Sequence, residues 1–171
     1  MKITRKITTF IALTLFTTLT FAQDKKPASP AATATGKVNG AEITIKYSSP
    51  YVKGREIWGG LVPYGKVWRA GANAPTTITT DKKIFVEGQE LPAGTYSIYV
   101  IPEKNEATVI FGKDSGMSAS KYDASKDQLR VKVKTKKSSK MNESLVYTID
   151  NNAITLSWEN LDIPVSLKHY Q

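Results

Sequence analysis

Hydrophobic and polar residues alternate along most of the chain from about residue 37 onward. Ile43, Ile45 and Tyr47 are separated by single polar residues, and the same period recurs over residues 129–133, where Leu and Val alternate with Arg and Lys. A period of two places successive side chains on opposite faces of a strand. These segments are therefore predicted to be strands with one buried and one solvated face.

Similar short runs recur through the chain, and turn-forming residues such as Asn39-Gly40 and Glu87-Gly88 separate them. Strands are predicted at 43–47, 76–80, 83–87, 95–101, 107–111, 129–133, 144–149, 154–158 and 163–167. Strands of this spacing are typical of an antiparallel sandwich or barrel. Because nothing in the sequence specifies closure, we predict an all-β fold: a single antiparallel, jelly-roll-like β-sandwich of about nine strands.

The first residues have the order of a secretory signal peptide. Basic residues at positions 2, 5 and 6 precede an apolar stretch at 7–21, and the small residue Ala22 follows. A membrane anchor is the alternative, but the stretch is short and interrupted by threonines, whereas a spanning helix needs about 20 mostly apolar residues. We expect a signal peptide at 1–22, a flexible linker at 23–36 and a domain at 37–171, located in the periplasm or secreted.

Composition narrows the range of partners. The formal net charge of +9 falls by three to +6 once the signal peptide leaves, and the chain has no cysteine to carry a disulfide or a lipid anchor. Much of the positive charge lies at Lys126, Arg130, Lys132, Lys134, Lys136, Lys137 and Lys140. Such a stripe can bind nucleic acid, but export argues against that partner, and the alternation favours a solvated sheet face.

The segment from 48 to 76 does not follow the alternation, and reads SSPYVKGREIWGGLVPYGKVWRAGANAPT. An irregular connection of this length is usually functional or disordered, and its aromatic residues argue against disorder. Trp58, Tyr64 and Trp68 provide amphipathic ring faces, while Arg55, Arg69 and Asn73 provide donor forks and an amide. These residues are candidates to bind a sugar or a carboxylate-bearing ligand. Alternatively, the segment is a packed cap whose tryptophans fill the core and whose arginines bond loop carbonyls.

The block GRxIWGGLVPYGxVWRxGAN, from Gly54 to Asn73, resembles the signature of domain of unknown function 2911, a family of exported bacterial proteins. The likeness extends from about Ser29 into the strand that contains Trp158. The resemblance implies no established activity. It places the family's characteristic positions at Arg55, Trp68, Arg69, Asn73, Thr76 and Arg130. The acidic residue that commonly follows the asparagine is replaced by Ala74, which weakens an enzymatic interpretation.

Several kinds of chemistry are disfavoured by the residues themselves. With no cysteine and a single histidine, His169, an ordinary zinc site or a Ser-His-Asp triad is not expected. Asp114, Asp123 and Asp127 lack the spacing of a calcium loop, and the glycines lack the spacing of a nucleotide-binding loop. We therefore expect no metal and no cofactor.

Three hypotheses remain. The leading one is a non-enzymatic envelope protein that uses the 54–76 loop to bind a glycan, a peptide or a neighbouring protein. A second is an enzyme, such as a metal-independent hydrolase, in which Arg55, Arg69, Asn73 and Tyr64 polarise a substrate. A third gives the loop a purely structural role.

Overall fold

Most of the strands form one open antiparallel sheet. The computed structural model describes residues 28–113 and 121–167. The sheet has six strands in the order β1-β2-β3-β6-β7-β8. They are β1 (Ala31–Val38), β2 (Ala41–Ser48), β3 (Thr77–Thr80), β6 (Gly94–Pro102), β7 (Glu106–Gly112) and β8 (Asp127–Lys134).

Two hairpins complete the fold. The short one pairs β4 (Ile84–Val86) with β5 (Gln89–Leu91), and the long one pairs β9 (Lys136–Ile149) with β10 (Ala153–Ser166). A 3-10 turn at Ala124–Lys126 precedes β8. The described residues thus contain ten strands and no α-helix, which confirms the predicted all-β, sandwich-like fold.

Two of the ten strands, β1 and β5, were not predicted, while two predicted strands form one, so nine predicted strands become ten. Residues 31–36 were expected in a flexible linker, but they form most of β1 and pair with β2 through the predicted turn at Asn39-Gly40. The linker prediction is therefore wrong for these residues. Gly36 is needed because β9 approaches closely: a Cβ added at this position would lie 2.5 Å from Cγ2 of Ile149.

Pairing departs from the sequence prediction at two further places. The strands on either side of Asp81-Lys82 form, but they do not pair with each other; β3 lies between β2 and β6, while β4 pairs with β5. The predicted strands 154–158 and 163–167 are one strand, β10, with register shifts on both sides of Glu159.

The inner faces of the six-stranded sheet and the long hairpin share one hydrophobic core. The sheet contributes Ile45, Ile78, Ile98, Val109 and Val131, and the hairpin contributes Leu145, Tyr147, Leu156, Trp158 and Ile163. A void of about 20 Å³ between the two layers has apolar walls from both. This contact accounts for the burial of the alternating positions.

Some predictions concern residues outside the described ranges. These are the signal peptide at 1–22, linker residues 23–27, Asp114 and His169. Within the described ranges, no helix has the length and hydropathy to span a membrane.

Candidate functional site

The segment between β2 and β3 is bonded to the sheet along much of its length. Trp68 and Val100 exchange both backbone hydrogen bonds at 2.8 Å, and the Gly65 N–H donates to the Pro102 carbonyl at 2.9 Å. The segment therefore pairs with the second half of β6, on the same side on which β3 pairs with the first half. The long irregular connection predicted from the sequence is an ordered extension of the sheet.

All three tryptophans of the chain meet beneath this segment. Trp68 stacks on Trp158 with ring centroids 5.7 Å apart and an interplanar angle of 19°, and Trp58 meets Trp68 edge-on at 5.8 Å. The indole N–H of Trp58 donates to the Trp158 carbonyl, and that of Trp68 donates to the Gly71 carbonyl, each at 3.2 Å. These contacts agree with the alternative in which Trp58 and Trp68 fill the core.

The Ala70 carbonyl is a second attachment point. It accepts hydrogen bonds from the Thr76 hydroxyl at 3.0 Å and from the Tyr147 hydroxyl at 2.8 Å. Ala70 is fully buried with φ of 53°, a conformation that an alanine retains only when its surroundings fix it. Burial raises the pKa of Tyr147 well above the ordinary value for tyrosine.

The arginines and the asparagine bond to backbone carbonyls. Arg55 donates through Nε to the Val52 carbonyl at 3.0 Å and through Nη2 to the Tyr51 carbonyl at 2.5 Å. Arg69 donates to the Asn73 carbonyl at 2.8 Å, and the Asn73 amide donates to the Ser29 carbonyl at 3.2 Å. These hydrogen bonds stabilise the shape of the segment.

Tyr64 occupies a different environment from the other candidate residues. It is 37% exposed, and its ring packs over Gly59, where an added Cβ would lie 2.8 Å from the ring carbon Cε2. Gly59 has φ of +90°, which also favours glycine. A larger residue at position 59 would displace the ring, so glycine at this position permits the close packing of Tyr64.

An open groove of about 940 Å³ extends from the Tyr64 ring over the outer face of the sheet. Its remaining walls are the turn after β6 and outward positions of β7 and β8. They comprise Glu103, Lys104, Asn105, Glu106, Thr108, Lys132, Lys134 and Thr135. The Lys132 Nζ lies 3.4 Å from Oε1 of Glu106, and because both side chains are exposed this ion pair leaves them available to a ligand.

Arg130 lies two residues before Lys132 on β8, so the two side chains are neighbours on the outer face of the sheet. Its guanidinium bonds to the Asp127 carboxylate and to the Tyr122 hydroxyl, and that hydroxyl donates to Asp127 at 2.7 Å. The hydrogen bond to Asp127 is the main cause of a raised pKa for Arg130. The three groups satisfy one another and fasten residues 122–127 to the sheet.

The candidate residues thus separate into two groups. Trp58 and Trp68 are partly buried and pack together against the core, Arg69 and Asn73 meet in the segment, and Arg55 and Thr76 bond nearby carbonyls. Tyr64 is the one candidate residue that borders the groove. Sequence analysis missed the partners of Tyr64. These partners are residues 103–105, between the predicted strands 95–101 and 107–111, and side chains of β7 and β8 that sheet register places beside them.

The comparisons with known proteins agree with the resemblance noted in the sequence. A family model described as protein of unknown function, DUF2911, matches residues 29–167. No curated protein and no solved structure matches the chain.

The buried hydroxyl of Tyr147 predicts a loss of stability in alkaline solution. Its folded-state pKa lies above the unfolded value of about 10. Its contribution is therefore fully present below that pH and falls as the pH rises, by at most about 1.4 kcal/mol per pH unit.

Denaturant unfolding of wild type and Tyr147→Phe between about pH 9 and pH 11 measures this effect. The variant should lose about 1 kcal/mol at neutral pH, through its missing hydrogen bond, and show the shallower decline with pH. Equal slopes for the two proteins would contradict the assignment.

Proposed function

We propose that this chain, which belongs to the DUF2911 family, is a non-enzymatic module that binds a glycan in the groove beside Tyr64. The observation that supports the proposal is an exposed aromatic ring, fixed over Gly59, at the border of a groove lined by hydrogen-bonding side chains. Within the segment from 54 to 76, Tyr64 is the residue that borders this groove.

The groove has the groups that sugar recognition requires. The face of an aromatic ring stacks on the apolar C–H face of a pyranose. Carboxylates such as Glu103 and Glu106 accept hydrogen bonds from adjacent sugar hydroxyls, and the Asn105 amide can both donate and accept. The three residues lie at the turn between β6 and β7, across from Tyr64.

The charge of the groove favours a neutral ligand. Its lysines, at 104, 132 and 134, are nearly balanced by the carboxylates of Glu103 and Glu106. The two carboxylates would repel a polyanion. The groove offers few apolar side chains to an apolar peptide. A neutral oligosaccharide suits mixed polar walls and one aromatic ring.

Export is part of the proposal, because it would bring the groove to glycans of the cell envelope or the surroundings. The signal-like order of residues 1–22 supports it. Sequencing the N-terminus of the protein from an envelope fraction tests it. We expect Gln23 as the first residue, whereas protein that starts at Met1 and stays in the cytoplasm would contradict export.

The two rival functions depend on other residues than the proposed one does. The enzymatic hypothesis has Tyr64 and three other side chains polarise a substrate. Those three, Arg55, Arg69 and Asn73, each donate a hydrogen bond to a carbonyl of the chain itself, which gives them a structural role. The structural hypothesis accounts well for those residues and for the tryptophans. It gives no reason for Tyr64 to be held at a groove.

Replacing Tyr64 with alanine should remove binding and leave the fold intact. Because the ring is partly exposed, we expect a stability change within about 0.5 kcal/mol, together with at least a tenfold, or about 1.4 kcal/mol, loss of affinity. A panel of neutral oligosaccharides on an array identifies the ligand, and isothermal titration then compares the variants.

Leu61→Ala is the matched control, because Leu61 is 49% exposed on the same segment but does not line the groove. It should bind as wild type does, while Glu103→Gln should weaken binding by removing a charged acceptor. Wild-type affinity in Tyr64→Ala, or no binding to any neutral glycan, would refute the proposed function.

A further inference from the structure

The six-stranded sheet ends at β8, and the free side of this strand has a distinctive chemistry. Within residues 28–113 and 121–167, β8 pairs with β7 alone. Its outward residues include Arg130, Lys132 and Lys134, all of them exposed, while Leu129, Val131 and Val133 are buried. An edge strand offers unpaired backbone groups to any chain that can lie beside it.

The hydrogen-bond pattern shows which backbone groups are free. Val100 exchanges both of its hydrogen bonds with Trp68, so its N–H and C=O point away from β7 and its partner Val109. Opposed residues in antiparallel strands alternate between bonded and non-bonded pairs. Val109 therefore bonds to its other partner, Val131, and the backbone groups of the next residue, Lys132, point outward.

By the same period of two, the backbone groups of Arg130 and Lys134 also point outward. The residues that offer free N–H and C=O groups at this edge are thus the residues whose side chains are cationic. An added antiparallel strand would place its own residues directly opposite them, on the same face of the sheet.

A groove of about 460 Å³ runs beside this edge. Lys132, Val133 and Lys134 line one side, and Pro164 and Ser166 of β10 line the other. Lys136 adds a third ammonium group, and Glu87 is the single acidic residue in its walls. With three ammonium groups against one carboxylate, the walls of the groove favour a negatively charged occupant.

Exposed lysines on edge strands also prevent unwanted pairing. That effect holds against neutral or basic strands, whereas the lysines attract an acidic strand.

We infer that the free edge of β8 is a docking site for an extended acidic polypeptide, which adds to the sheet as an antiparallel seventh strand. This edge adjoins the proposed glycan groove, and Lys132 and Lys134 line both.

The test uses a blocked peptide of about ten residues in which Glu alternates with Thr, long enough for one strand. Titration into the full protein should give saturable binding. Amide hydrogen exchange should slow at Arg130, Lys132 and Lys134 and stay unchanged at Leu129 and Val131, which already bond to β7.

Peptide and protein variants separate strand addition from simple charge attraction. The same peptide N-methylated at every Glu keeps its charges but loses the N–H groups that face β8, and should bind at least about tenfold more weakly. Lys132→Pro removes one outward N–H at an edge position where proline is tolerated. It should bind more weakly than Lys132→Ala, which loses only the charge.

Lys46→Ala is the control for charge, because Lys46 is an exposed lysine on the interior strand β2; it should bind as wild type does. Equal affinity for the methylated and unmethylated peptides would overturn the proposal, and so would unchanged amide exchange at Lys132. Since both of these measurements use the wild-type protein, the proposal stays testable even if Lys132→Pro does not fold.

Discussion

The stacking of Trp68 on Trp158 is the contact on which the rest of the structure depends. Trp158 is buried in β10 of the long hairpin, whereas Trp68 belongs to the irregular segment, so the stack joins that segment to the hairpin layer. The backbone bonds between Trp68 and Val100 join it to the six-stranded sheet. The indole N–H of Trp158 is buried without a hydrogen-bond partner among the described residues, which costs about 1 to 3 kcal/mol. Ring packing with Trp58 and Trp68 must offset that cost.

Once Trp68 is fixed, the functional surfaces follow from it. Its backbone bonds to Val100 continue the sheet beside β6, and the chain just before it then places Tyr64 at the border of the outer groove. The same bonds agree in phase with the alternation of hydrogen-bonded pairs across β6, β7 and β8. That phase leaves the backbone groups of Lys132 free at the sheet edge.

The sequence predicts the strands better than it predicts their neighbours. Period-two segments such as 129–133 form strands because burial of one face dominates. Alternation contains no information on long-range pairing, so the separation of β3 from β4 was not predicted. β1 was missed because its small side chains resemble those of a linker.

The groove could not be predicted, since Tyr64, Glu103 and Lys132 come together only through sheet register. The tryptophans and arginines were candidates for ligand binding because of their residue types, but in the fold they contact mostly the chain itself.

The central claim is that a packed tryptophan makes the irregular segment part of the sheet. The free energy of unfolding of Trp68→Ala, measured beside Leu61→Ala, tests it most directly. We expect the free energy of unfolding to fall by about 3 to 5 kcal/mol in Trp68→Ala. In Leu61→Ala, where the side chain is exposed, it should change by no more than about 0.5 kcal/mol. A Trp68→Ala protein nearly as stable as wild type would contradict it.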